Sequence, residues 1–204
     1  MIFKRSFAIF VAALIIAGCG AESETSDGKK IVNIGHVGPL TGPIAHLGKD
    51  NERGAELAVD EANELDLVID GVPIQFRLLS EDDEANPQKA TVVAQKLVDS
   101  DIVGVVGHLN SGTTIPASTI YFDSGIPQVS PSATAITYTH QDYQTAHRVM
   151  ANDEQQGKVL GDYAVKTLGA KGIAIIDDRS AYGKGLADEF ESAIKDAGGK
   201  ILTR

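Results

Sequence analysis

Tryptophan is absent from these 204 residues, cysteine occurs once, and aromatic side chains make up only 5 %. With so few large rings, Ala, Val, Ile and Leu must fill the interior. At 43 % apolar content the chain is long enough for one or two hydrophobic cores. A single cysteine excludes an internal disulfide and a cysteine-rich zinc site. Positive charge is also scarce: 18 Lys and Arg face 28 Asp and Glu, a net charge of −10. Nucleic-acid binding depends on cations that neutralise phosphates, so no nucleic-acid partner is expected. Catalytic motifs are equally thin, with no G-x-S-x-G elbow and no H-E-x-x-H pair.

The lone cysteine stands in an informative place. Lys4 and Arg5 form a positive start, and a largely apolar run over 6–18 follows. A membrane span needs roughly 20 apolar residues, so this run is short for one and suits the apolar region of a secretory signal. It closes on Ile16-Ala17-Gly18-Cys19, which resembles the processing box of bacterial lipoproteins, where the cysteine receives lipid. An ordinary signal peptide with a chance cysteine is the alternative. Residues 1–18 are expected to be removed and Cys19 lipidated, placing the protein in the periplasm or on the cell surface. Residues 19–29 are small, polar and charged, and read as a flexible tether. Two or more acyl chains would anchor the protein firmly, where one binds only marginally.

From residue 30 onward, short apolar runs alternate with amphipathic stretches. Strands are expected at 31–37, 72–79, 102–106, 127–130 and 172–177, with a short one near Arg148 and another opening at 200–204. The spacing predicts a helix over 53–65 with Leu57, Ala58, Ala62 and Leu65 on one face. The next helix has Asn86 as N-cap, Pro87 in its first turn, and Ala90, Val93, Ala94, Leu97 and Val98 at helical spacing. Further helices are expected over 114–123, behind an Asp153-x-x-Gln156 capping box, and over 186–197. The second of these would bury Leu160, Tyr163, Ala164, Thr167 and Leu168. Such alternation predicts an α/β chain with parallel sheets flanked by helices and right-handed crossovers. A last strand at 200–204 has no crossover helix behind it. The sequence therefore reads as a first lobe over 30–147 and the incomplete start of a second over 148–204.

Ligands of open α/β sheets gather beyond the carboxyl ends of the strands. The loop 38–43 is glycine-rich, but its spacing is not G-x-G-x-x-G, and Pro39 and Pro43 remove N–H groups a pyrophosphate would need. A dinucleotide site is not expected there. The loop 107–114, Gly-His-Leu-Asn-Ser-Gly-Thr-Thr, offers hydroxyls and glycines at a helix start and suits a carboxylate; Ser111 or Thr113 as a plain helix cap is the alternative. The loop 130–134, with Ser132 and Thr134, is again hydroxyl-rich. His108 lies three residues from Ser111, but no acid of evident role accompanies it. The run Glu81-Asp82-Asp83-Glu84 lacks calcium-loop spacing and reads as a solvated turn. His140 and His147 read as surface residues.

Seven segments in register over 30–204 give a resemblance. They are IGHVGPLTGPIAHLG (34–48), GAELAVDEAN (54–63), EANPQKATVVAQKLV (84–98), VVGHLNSGTTIPAS (105–118), GIPQVSPSATA (125–135), the pattern Arg148, Asp153, Gln156, Gly157, and DDRSAYGKGLA (177–187). Together they resemble the branched-chain amino-acid binding proteins of ABC transporters, which have the type I periplasmic-binding-protein fold. The resemblance implies two lobes that close on an amino acid, no cofactor, no enzyme activity, and delivery to transporter permease subunits. It assigns Ser111 to the ligand carboxylate, the Ser132 carbonyl and the Thr134 carbonyl and hydroxyl to the amino-acid backbone, Tyr182 to an aromatic closing over the ligand, and Asp153 to an acid near the cleft and hinge, with N-cap of the following helix as its alternative. The acidic partner of the ammonium is expected in the remainder of the second lobe. Two departures stand out. Leu47 replaces an aromatic that packs on the ligand side chain in leucine-type binders, and Ala85 and Asn110 stand where some relatives have a disulfide. A ligand-sensing domain of the same fold and an α/β enzyme on an amino-acid-like substrate are the alternatives.

Overall fold

The structure, a computed structural model, describes residues 28–204. Lys4, Arg5 and Cys19, and with them the signal and most of the tether, lie outside the described residues. Strand β1 (Lys30–Gly38) is followed by helix α1 (Ala45–Glu64), then by a hairpin of β2 (Val68–Ile69) and β3 (Val72–Asp82). Helix α2 (Pro87–Val98), strand β4 (Ile102–Gly107), helix α3 (Ser111–Asp123) and strand β5 (Gln128–Ser130) continue the alternation. A single turn, α4 (Ile136–Thr139), and strand β6 (Ala146–Arg148) complete the first series.

These six strands form one sheet in the order β2-β3-β1-β4-β5-β6, all parallel except the β2–β3 hairpin. The order reverses at β1. The chain leaves β1 for β3 on one side and returns across it to β4 on the other. With right-handed crossovers this sends α1 to one face of the sheet and α2 and α3 to the opposite face. A recess therefore opens beyond the carboxyl ends of β1 and β4, between loops that diverge. The main core lies under α2 and α3, where Val93, Ala94, Leu97, Ala117 and Tyr121 meet Val37, Ile102 and Val105.

Helix α2 matches its expectation closely. Asn86 Oδ1 accepts from the backbone N–H groups of Gln88 and Lys89 at 2.9 and 3.0 Å, and Ala90, Val93, Ala94 and Leu97 are buried. Helix α1 corrects its expectation twice. It starts at Ala45, two turns early, and it turns Leu57 and Leu65 to the outside while burying Gly48 and Ala55. The reason is close approach: a Cβ on Gly48 would fall 2.2 Å from the Pro39 carbonyl oxygen, so the inward face must be small.

Beyond β6 come α5 (Asp153–Asp162), a π-helical turn over Tyr163–Thr167, β7 (Ile173–Ala174), α6 (Ala181–Asp196) and β8 (Ile201–Thr203). Strands β7 and β8 pair in parallel as a second sheet, and β7 is shorter than the strand expected at 172–177. A small core joins Ile175, Ala187 and Ile194. The capping box is a correction: Asn152, not Asp153, is the N-cap of α5, with its Oδ1 accepting from Gln155 N–H at 3.1 Å. The expected buried face of α5 is another. Leu160, Tyr163 and Leu168 are exposed, and Gly157 and Gly161 face inward instead. A Cβ on either would lie 2.5 Å from a Cβ of α6, that of Glu189 or of Ala193, so the two helices touch along a glycine seam. Among the described residues no helix is long and apolar enough to cross a membrane.

Candidate functional site

Four of the five residues expected to meet ligand converge on the recess around β4 and β5. Ser111 is buried in the first turn of α3, and its Oγ accepts from Ala135 N–H at 3.2 Å. Ser132 Oγ donates to the Leu109 carbonyl at 3.0 Å and accepts from Asn51 Nδ2 of α1 at 3.3 Å. The Thr134 carbonyl accepts from Asp153 N–H at 2.9 Å. Helices α2, α5 and α6 each receive a side-chain cap, from Asn86, Asn152 and Ser180. The Asn110 side chain makes no such bond to α3, so the positive end of that helix faces the recess uncapped.

Asp153 is the electrostatic centre. It is fully buried, and among the described residues neither carboxylate oxygen has a hydrogen-bond partner. Burial pushes its pKa up, opposed by the Thr134 hydroxyl and the Arg148 guanidinium. The Thr134 hydroxyl sits beside the carboxyl without normal hydrogen-bond geometry, and it too lacks a partner among the described residues. Arg148 does not pair with the acid directly. Its guanidinium donates to the Ala133 and Ala135 carbonyls, both at 2.9 Å, and lies 5.4 Å from the Tyr138 ring centroid. Thr134 is thereby clamped between its two neighbours.

A cavity of about 320 Å³ opens in front of Asp153, bounded by Ile115, Ala135, Ala181, Gly185 and Glu189. Its walls come from both sides, α3 and the 135–137 segment on one and α6 on the other. Three carboxylates and no Lys or Arg line it. Tyr182 is the residue that the structure does not bring into this group. It lies in the first turn of α6, 42 % exposed, along an apolar groove of about 660 Å³ with Leu160, Tyr163, Ile176 and Phe190.

The sequence reading missed Asp83. The acidic run is not simply a solvated turn: Asp83 is fully buried and its Oδ2 lies 2.8 Å from His108 Nδ1. Asp82 accepts from Leu40 N–H at 2.8 Å and so fastens the loop after β1. His108 thus has the acid that sequence spacing did not reveal, from a loop 25 residues away. Its other nitrogen, Nε2, lies 3.2 Å from the Tyr121 hydroxyl, not at Ser111. The hydroxyl that His108 meets belongs to Tyr121, which is fully buried, so His108 and Ser111 do not form a nucleophile–base pair. Among the described residues no cluster of three or more His, Cys, Asp or Glu is arranged to hold a metal ion.

A crevice at a strand-order reversal, walled by hydroxyls and a helix start, is where open α/β sheets hold small ligands. Residues 31–204 match the periplasmic binding protein family, and the chain belongs to it. It is 35 % identical over 190 residues to the leucine-, isoleucine-, valine-, threonine- and alanine-binding protein of Pseudomonas aeruginosa, covering 93 % of this chain and 49 % of that one. It is 37 % identical over 192 residues to Leu/Ile/Val-binding protein homolog 1 of Brucella abortus, covering 94 % and 49 %. Among solved structures it is similar to LivJ, the branched-chain amino acid transporter substrate binding protein of Streptococcus pneumoniae, in complex with isoleucine. That match has a TM-score of 0.74 and 33 % identity, and covers 85 % of this chain and 49 % of the other. A solute binding protein of an R. palustris ABC transporter, in complex with benzoate, matches with a TM-score of 0.74 and 27 % identity over 85 % and 47 %. The chain spans about half the length of these relatives. The fold is that of the type I periplasmic binding proteins, and the relatives named are binding proteins.

Proposed function

We propose that the protein captures a small amino acid in this crevice, without transforming it, and hands it to the permease of an ABC transporter. The observation that carries this reading is the buried carboxylate of Asp153 beside the Thr134 hydroxyl, both without partners among the described residues, facing a cavity next to an uncapped helix start. A buried ion without a partner is costly, and an incoming ammonium group supplies the missing one. Ser111 and the first N–H groups of α3 receive the carboxylate. Opposite charges at the two ends match a zwitterion, and charge-assisted hydrogen bonds of this kind contribute roughly 1.5–3 kcal/mol each.

Contacts from two sides give such a ligand a means to favour a closed form over an open one, because only differential contacts shift that equilibrium. The names of the leucine-type relatives support a branched aliphatic side chain on the ligand. The exported, lipid-anchored location rests on residues 1–19 of the sequence. The test is calorimetric titration of the full-length protein with L-leucine, L-isoleucine and benzoate. Binding of the amino acids in preference to benzoate is expected. Benzoate binding without amino-acid binding would remove the role given to Asp153.

A further inference from the structure

We propose that His108 is a positioning residue for ligand binding: it fixes the β4–α3 loop, and so the crevice floor, without touching ligand. The inference rests on the reading that the start of α3 receives the ligand carboxylate. His108 is the first residue beyond β4 and is fully buried. Both ring nitrogens have buried partners. Asp83 spends Oδ1 on Ala85 N–H at 2.9 Å, and its Oδ2 lies 2.8 Å from His108 Nδ1. Nδ1 is the ring atom that faces the carboxylate, and Nε2 lies 3.2 Å from the Tyr121 hydroxyl.

The backbone of the same residue is held equally firmly. Its carbonyl accepts from Ser130 Oγ at 2.8 Å and from Thr114 Oγ1 at 3.1 Å, while Ser130 Oγ also accepts from Ala133 N–H at 2.9 Å. Asp83 N–H in turn donates to the Gly38 carbonyl at 3.1 Å. Ring and backbone of His108 together join strand ends: the imidazole holds Asp83 after β3, Asp83 N–H holds the end of β1, and the His108 carbonyl holds Ser130 of β5. Ser111 follows His108 by three residues. Asp83 and His108 also join the two loops that contain Ala85 and Asn110, where no disulfide is possible. Because every group in the chain Asp83–His108–Tyr121 is fully buried, its influence on a ligand passes only through the loop.

Two amide replacements separate positioning from simple packing. In His108→Asn the side-chain amide lies near the former Nδ1 and still donates to Asp83. In His108→Gln it lies near the former Nε2, so the donor to Asp83 is lost. Each variant of the full-length protein is titrated with L-leucine, and backbone hydrogen exchange over 109–112 is followed without ligand. For His108→Gln, Kd and the exchange rate are both expected to rise about tenfold or more, with His108→Asn within about threefold, as the loss of one charge-assisted bond predicts. Equal effects of the two variants, or unchanged exchange over 109–112 in His108→Gln, overturn the proposal. If wild type does not bind leucine, the function proposed above fails while the exchange measurement still decides this one. If His108→Gln does not fold, Tyr121→Phe replaces it. An exchange rate raised about threefold or more supports the proposal, and no change overturns it.

Discussion

Asp153 and His36 are two fully buried groups that ionise at a cost, and each yields a stability measurement. Burial raises the Asp153 pKa above its ordinary 3.8, so folding disfavours its charged form. Below pH 3.8 the carboxyl is protonated in both folded and unfolded chains, and the penalty is absent. It grows as the pH rises from 3.8 to the folded-state pKa and is complete above that. Asp153→Asn is therefore expected to be more stable than wild type at pH 7, seen as a higher Tm, with the gain disappearing in acid. The same variant is expected to bind amino acid about tenfold or more weakly, seen by calorimetry. His36 on β1 has the opposite sign. Burial pushes its pKa down from 6.5 to about 4, with His108 adding to the effect and Glu52 and Asp83 opposing it. Its stabilising contribution is full above pH 6.5 and is lost as the pH falls toward 4, a change of about 3 kcal/mol. Neither ring nitrogen has a hydrogen-bond partner among the described residues, so His36→Phe is expected to fold. Urea denaturation at pH 7 and pH 4.5 should show a smaller acid loss in the variant.

Helix α2 was readable because a cap, a proline and an aliphatic stripe all agree; α1 and α5 were readable as helices, but their inward faces were not, because those faces are small, with Gly48, Ala55, Gly157 and Gly161. Hydrophobic spacing finds a face by its large residues. At Gly48, Gly157 and Gly161 the large residues are excluded by backbone contact, so Leu57, Leu65 and Leu160 mark the wrong side. The site divides in the same way. Ser111, Ser132 and Thr134 were visible as hydroxyls in loops after strands, a local signal. Asp83 meeting His108 is a pairing across 25 residues that depends on β1 lying between their strands, which no local spacing records. The glycine seam gives the element-scale prediction. Gly161→Ala improves helix propensity by roughly 1 kcal/mol, yet its Cβ lies 2.5 Å from that of Ala193. Separating α5 from α6 costs about 1–3 kcal/mol, so a net loss of Tm is expected by calorimetry.

For the whole molecule, the sheet order sets the location of the crevice, and the proposed membrane address rests on the first 19 residues. Cys19→Ser in the full-length protein is expected to move it from the membrane fraction to the soluble fraction, read by fractionation and immunoblot. Persistence in the membrane would remove the lipid anchor from the proposal. The crevice itself has a different status from the residues that line it. It exists because the chain reverses direction across β1, and no side chain has to be present for the gap to form. Exchange of a few wall residues can thus change the cargo while the hold remains, and descendants of one ancestral chain can come to carry isoleucine or benzoate with the same frame.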